Sequence, residues 1–191
     1  SVSLPVSPLH DYPRWLAWAT FTQKSSGRSF FFGNIHFEPN NDTSGSTTYY
    51  TVRKQEAETV VAAIARLNTG KLPVVLVGDA NSSKWDVPSN VPYDTFVASG
   101  LVDPLGNTYR SSTAVGATVE KRINTNYYSY NNFERYARRS GSVNGSYTDY
   151  IFTTPMRVSE WETVVDVDAS NNFVGVIPSD HNLIRATVWL P

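Results

Sequence analysis

Residues 73–81 read Pro-Val-Val-Leu-Val-Gly-Asp-Ala-Asn. Pro73–Val77 is a short, continuous apolar run, which predicts a strand covered on both faces. The run stops at Gly78, and a carboxylate and an amide follow at Asp79 and Asn81. A strand that ends in this way delivers polar groups to the edge of a sheet. Gly78 lets a backbone or a ligand come close. The same residue types also dominate turns, so a plain turn remains open at this point.

The surroundings of that strand set the fold class. Upstream, Arg14–Phe21 and Ser29–Phe37 read as two strands joined by a Gly-containing turn at Ser25–Gly27, which suggests a hairpin. Val52–Asn68 reads as a helix. Its residues Ala57, Val60, Val61, Ile64 and Ala65 recur at three- and four-residue spacing, and Gly70 stands where a C-terminal cap belongs. Downstream, Tyr93–Ser99 suggests a short helix closed by Gly100. Tyr147–Thr153, Met156–Val167 and Leu183–Leu190 read as strands. Residues 39–48 are a polar loop, and residues 103–147 are the least legible stretch. A strand, helix, strand order followed by further strands predicts a layered α/β protein with sheets inside. The segment 1–13, with Pro5, Pro8 and Pro13, is expected to be irregular or extended, with no regular strand before Arg14.

The 191 residues suit one domain, taken as 1–191. An apolar fraction of 40% is enough for a core and excludes a wholly disordered chain. The 16 Lys and Arg against 17 Asp and Glu leave a net charge of -1, so no global basic field recruits nucleic acid or an anionic membrane. The absence of cysteine excludes disulfides, thiolate metal sites and a cysteine nucleophile. No apolar run approaches the roughly 20 residues of a transmembrane segment. A surface rich in Ser, Thr, Asn and Tyr points to an extracellular, secreted setting.

Four short segments set titratable or amide side chains beside predicted strands: Asn34-Ile35-His36, Gly78-Asp79-Ala80-Asn81, Asp149-Tyr150-Ile151 and Ser179-Asp180-His181-Asn182. Carboxylate with amide suits a hard cation and an anionic oxygen. Histidine is the usual base near neutral pH, and a carboxylate beside it orients the ring. Of the three histidines, two fall in these segments. Each segment alone also fits a plain role: a turn, a helix cap, a satisfied core histidine or a strand-start aspartate.

Taken in order, the four segments resemble the endonuclease/exonuclease/phosphatase superfamily, which includes deoxyribonuclease I, neutral sphingomyelinases and inositol polyphosphate phosphatases. The resemblance runs from about Arg14 to Leu190. It implies a deoxyribonuclease I-like four-layer α/β sandwich with two central β-sheets. It implies hydrolysis of phosphate esters with a divalent cation, Mg2+ or Mn2+. It implies catalytic roles for His36, Asp79, Asn81, Asp149 and His181, with Asp79 and Asp180 at the metal. His181 looks like the residue that handles a proton, Asp149 its orienting partner, and Asn81 and His36 donors to phosphoryl oxygens. The substrate class stays open among nucleic acid, a phospholipid headgroup and soluble phosphates.

Two departures qualify the resemblance. Ala80 stands where the family often has Phe, which affects packing rather than a polar role. More importantly, the family opens with a strand bearing Asn and a second ending in Gln-Glu, whose Glu is a principal metal ligand. Neither is found upstream of Arg14, where the only acid is Asp11. The expectation is therefore the C-terminal part of a catalytic domain, completed by an N-terminal segment or a separate chain. The alternative is a non-catalytic binding or assembly module that retains the fold. A carbohydrate-binding β-domain would account for the five Trp and 11 Tyr, at the cost of treating the four ordered segments as coincidence.

Overall fold

A computed structural model describes residues 1–6, 12–39, 47–85, 91–108 and 115–191. Pro8, Asp11 and most of the polar loop expected over 39–48 lie outside the described residues. The described chain forms two sheets and two helices around a shared core.

The first sheet has the order β1-β2-β3-β4-β6, built from β1 (Val2–Ser3), β2 (Trp15–Thr22), β3 (Ser29–His36), β4 (Val74–Asp79) and β6 (Asp149–Thr153). β2 and β3 form the expected antiparallel hairpin, closed by a turn in which Gly27 takes φ 73°. β3 and β4 are parallel and are joined by α1 (Thr47–Leu67), because a parallel connection needs a crossover long enough to return the chain. β4 and β6 are antiparallel. Val74, Val75 and Leu76 are all buried, so this strand is covered on both faces. The second sheet has the order β5-β7-β8, from β5 (Lys121–Ile123), β7 (Arg157–Thr163) and β8 (Ile184–Trp189). Trp161 and Val158 of β7 join the same core as the first sheet. A short helix, α2 (Val91–Ala98), lays Tyr93 and Phe96 on Phe152 at ring separations of 5.6 and 5.2 Å.

Several elements depart from the pattern expected of the sequence. β1 falls in the stretch expected to hold no strand; it pairs Val2 with Leu16 and Ser3 with Trp15. Two residues are too few for periodicity to register. On α1, Ala65 is exposed, while Arg53 and Glu56 share the buried stripe with Ala57, Val60 and Ala63. Charged residues on the inner face disguised its true direction. Gly70 does not supply the left-handed residue after α1. Lys71 does, at φ 50°, and the Asn68 side chain closes the turn by bonding both the N–H and the C=O of Leu72. β5 was hidden in the illegible 103–147 stretch because it contributes only three residues, paired alongside β7.

Candidate active site

The registers of the first sheet set the site in a row. His36 pairs with Asp79 across β3 and β4, and Asp79 pairs with Asp149 across β4 and β6. Adjacent strands lie about 4.8 Å apart, so three titratable side chains from distant parts of the chain meet at one edge. Gly78 makes the close pairing possible. It takes φ 130°, and a Cβ there would lie 1.9 Å from the Ile35 carbonyl oxygen. The close approach it allows is therefore to the backbone of β3. The turn reading of this segment holds as well, because Asn81 adopts φ 47° and its N–H donates to Asp79 Oδ1 at 2.7 Å. One hydrogen-bonded turn thus fixes both polar groups at the strand end.

His181 arrives from the segment before β8. Its Nδ1 lies 2.8 Å from Asp149 Oδ2, and its Nε2 lies 3.9 Å from Asp79 Oδ2. His36 Nε2 lies 3.7 Å from the same Asp79 oxygen. Asp180 turns its backbone carbonyl to the N–H groups of Asn131 and Asn132, which ties this segment to the long loop. Ser129, fully buried, steadies the other side, its Oγ accepting the N–H of Thr148 at 3.0 Å. A cavity of about 740 Å³ results, and His36, Asp79, Asn81, Asp149, Asp180 and His181 all line it. Asn34 is not among its lining residues.

Three pKa shifts follow from this arrangement. Burial, and then the charge of Asp149, push Asp79 up to about 6, against the pull of the Asn81 N–H. The Asp149 hydrogen bond holds His181 above the usual histidine value, against its burial. Burial lowers His36, helped by the positive charges of Arg14 and His181. Negative charge is therefore concentrated at Asp79, where a cation would relieve it. Asp79, Asp149 and His181 present ligand atoms within 4.8 Å of one another. With His181 Nδ1 engaged by Asp149, the Asp79 carboxylate, with Asn81 and Asp180 also lining the cavity, fits a hard divalent cation that keeps part of its water shell. Asn81 already donates from Nδ2 to the Phe37 carbonyl at 3.0 Å, so one amide proton and the amide oxygen are left for a ligand.

The cleft also holds residues that the four segments did not reveal: Arg14, Pro39, Tyr130 and Thr148. Arg14 had a readable signal. Extending the β2–β3 register from Ala17 opposite Asn34 puts Arg14 opposite Phe37, next to His36. Tyr130 had none. Its place depends on an isolated bridge to His181 and an edge-on ring contact with that histidine at 5.1 Å.

The chain belongs to the endonuclease/exonuclease/phosphatase family, whose model matches residues 3–181. Among solved structures it is similar to a mannosyl-6-phosphatase from Bacteroides thetaiotaomicron, at 25% identity and a TM-score of 0.67, over 93% of this chain and 58% of that one. It is also similar in fold to an endonuclease/exonuclease/phosphatase from Bacteroides vulgatus, at 23% identity and a TM-score of 0.65, over 94% of this chain and 56% of that one. Sphingomyelinase C from Streptomyces griseocarneus shares the fold at 14% identity and a TM-score of 0.58, over 90% of this chain and 56% of that one. The chain thus spans little more than half the length of these proteins. No curated protein matches the sequence. The mixed α/β fold with central sheets is the deoxyribonuclease I-like architecture that the four segments imply. No helix among the described residues is long and apolar enough to cross a membrane.

Proposed function

We propose that the chain carries most of the catalytic cleft of a cation-assisted phosphoesterase. The observation that carries this reading is the His181 Nδ1 to Asp149 contact of 2.8 Å, which leaves Nε2 directed toward Asp79 inside the cleft. In hydrolysis, a water oxygen bonds to phosphorus, the bond from phosphorus to the leaving oxygen breaks, and one proton passes from the water side to the leaving side. Asp149 keeps the proton of the His181 ring on Nδ1 and so leaves Nε2 to exchange a proton with water or leaving oxygen. Asp79 orients the attacking water, and its Nε2 neighbour His36, together with Asn81, donates to the phosphoryl oxygens. Arg14 adds a fixed positive charge at the rim. Asp79 and Asp180 would hold Mg2+ or Mn2+, which when bound neutralises charge on the phosphoryl oxygens. Donors already in place cost no reorganisation during the reaction.

We further propose that the catalytic unit is larger than this chain. Two features support it: the chain covers 58% of the mannosyl-6-phosphatase, and β8 has a neighbour on one side only among the described residues, with Leu183 and Trp189 exposed beside it. An added segment supplying strands and a metal-binding Glu would complete the sheet. Its test is hydrolysis of bis(4-nitrophenyl) phosphate and 4-nitrophenyl phosphate with and without Mg2+, by the 191-residue chain and by a version extended upstream to the next Glu-terminated strand. The extended protein should turn over with metal and the shorter chain should bind Mg2+ weakly by calorimetry. No turnover by the extended protein over phosphodiesters, sphingomyelin and phosphomonoesters would leave the binding-module reading in its place.

A further inference from the structure

Asp149 opens β6, but His181 belongs to neither sheet, so no sheet ladder sets the 2.8 Å between them. That distance is held from the long loop. Among the described residues, every hydrogen bond from residues 179–182 to another segment, the contact with Asp149 apart, ends on residues 128–132. The Asp180 carbonyl accepts from the N–H groups of Asn131 and Asn132 at 2.7 and 3.1 Å, and the Asn182 N–H donates to the Ser129 carbonyl at 2.7 Å. The Asn182 amide donates to the Tyr128 carbonyl at 2.8 Å. The same loop holds the other partner. Ser129 Oγ accepts the N–H of Thr148 at 3.0 Å and that of Asp149 at 3.4 Å, and the Ser129 N–H donates to the Ser146 carbonyl at 3.0 Å. Ser129 therefore joins the two sides, its hydroxyl on the start of β6 and its carbonyl on the residue after His181.

Asn131 binds the segment more tightly still. Its Nδ2 donates to the Ser179 carbonyl at 3.1 Å and to Asn182 Oδ1 at 3.0 Å, and its Oδ1 accepts the Phe133 N–H at 2.8 Å. Both amide protons are spent on the residues that flank His181. Ser129 and Asn131 are buried, so these bonds are out of reach of bulk water, and losing one leaves a buried group unmet. Tyr130, half-exposed between them, lines the cleft. Its ring meets the His181 ring edge-on at 5.1 Å, and its OH is engaged by Asn132 Oδ1 at 2.8 Å. The imidazole is thus bounded by an aromatic edge on one side and anchored through Nδ1 on another, with Nε2 left toward Asp79. Few of these contacts serve the core. They converge on one side chain.

We propose that Ser129 and Asn131 are positioning residues: they hold His181 on Asp149 and so fix which ring nitrogen faces the reacting oxygen. What this says of turnover rests on the phosphoesterase reading; what it says of the ring does not. The ring is followed in the 15N-labelled 191-residue chain by long-range 1H–15N spectra at a pH above the His181 titration, its signals identified by their loss in His181→Ala. The parent should show the Nδ1-protonated tautomer, which a carboxylate at Nδ1 selects. Asn131→Asp keeps the acceptor for the Phe133 N–H but removes both donors to the His181 segment. Ser129→Ala removes the acceptor at Thr148 and Asp149. Each should return the ring toward the Nε2-protonated form usual for a free histidine. Asn171→Asp is the matched control, because Asn171 is also buried but its amide bonds the Ala137 carbonyl and the Tyr127 hydroxyl. It should lower the urea midpoint as the other two do and leave the tautomer unchanged. In the extended protein with Mg2+, Asn131→Asp and Ser129→Ala should each lower kcat on bis(4-nitrophenyl) phosphate on the order of 10- to 100-fold, the scale of a displacement of about 1 Å. KM should stay within about threefold, as when an interaction is felt mainly in the transition state. An unchanged tautomer in both variants, the same tautomer change or kcat loss in Asn171→Asp, or a parent ring protonated at Nε2 overturns the proposal. Control of the ring by Ser129 and Asn131 without turnover by the extended parent would overturn the hydrolase reading and leave the positioning role standing.

Discussion

Asp79 and Lys84 are five residues apart in the chain, and they sit in two charged clusters of opposite character. Around Lys84 the charges are sealed and matched. The ammonium is 1% exposed and bonds Asp103 Oδ2 and the Gly106 carbonyl, while Tyr93 OH donates to the same Asp103 oxygen at 3.1 Å. Around Asp79 the charges are half-covered and mismatched. Two carboxylates sit side by side across β4 and β6, and the two histidines approach Asp79 only at 3.7 and 3.9 Å. The contrast teaches that a buried ion pair with every group answered holds loops in place, whereas a cluster with surplus charge at a cavity has capacity left for a ligand. Both clusters use carboxylate and cationic side chains, so residue type alone does not tell them apart.

The sharpest way to break the contrast is to remove one member from each cluster. Asp103→Ala leaves the buried Lys84 charge without its carboxylate and should cost about 3 to 5 kcal/mol, the usual penalty for opening a buried pair. Urea unfolding measures it, and a loss below 1 kcal/mol, the level of about one exposed pair, would mean that the Lys84 cluster is not structural. His181→Ala should do the reverse. Its turnover in the extended protein should fall by roughly 100- to 10,000-fold, the value of a positioned proton-transfer group, while the urea midpoint stays near that of the parent. Untouched turnover would remove His181 from the chemistry.

Asp79→Asn tests the surplus charge. The carboxyl of the unfolded chain loses its proton near pH 3.8 and that of the folded chain near 6. Folding therefore opposes ionisation, and stability declines as pH rises through that window and stays lower above it. The amide has no charge to bury, so the variant should be more stable than the parent at pH 8, by about 1 to 3 kcal/mol, and show no gain at pH 3. Glu56 adds the same sign elsewhere: burial, and the nearby Glu38 charge, push it up to about 8. Glu56→Gln should flatten the remaining decline between pH 5 and 8, read from thermal melts across that range, with an effect of up to about 1.4 kcal/mol per pH unit. The smallest effect is expected at Asp149. Asp149→Asn keeps a side chain against His181 Nδ1 and should lower turnover less than His181→Ala does. An equal loss would give Asp149 a role of its own at the phosphate or the cation.

Much of this was legible along the chain. The apolar run Val74–Val77, the aromatic strand ending at His36 and the apolar strand after Asp149 show their type because strands buried on both faces leave a dense apolar signature. The polar residues after them stand out against that background. Arg14 was legible in principle through the hairpin register, since antiparallel pairing fixes which residues lie opposite. The 103–147 stretch was not. Its order comes from single bridges such as Tyr130 to His181 and Tyr136 to Asn172, and from side chains that bond distant backbone groups, as Ser129 does at Thr148 and Asn131 at the Ser179 carbonyl. Such contacts join residues distant in sequence and follow no period.

The sequence by itself determined the type of strand at each polar segment, the family those segments belong to in their order, and the residue types that could meet a phosphate. Short-range patterns suffice for this, because strand burial and turn chemistry are local. Only the tertiary structure decided that His36, Asp79 and Asp149 share one row, that Lys84 is sealed while Asp79 is not, and that Ser129 and Asn131 bond the segments carrying Asp149 and His181. These facts depend on strand order, register and long-range loop packing, which set the distance between charges and the water they keep. The energy of a charge changes severalfold with its depth and its partners, so the same carboxylate becomes a structural strut in one setting and a reactive group in the other.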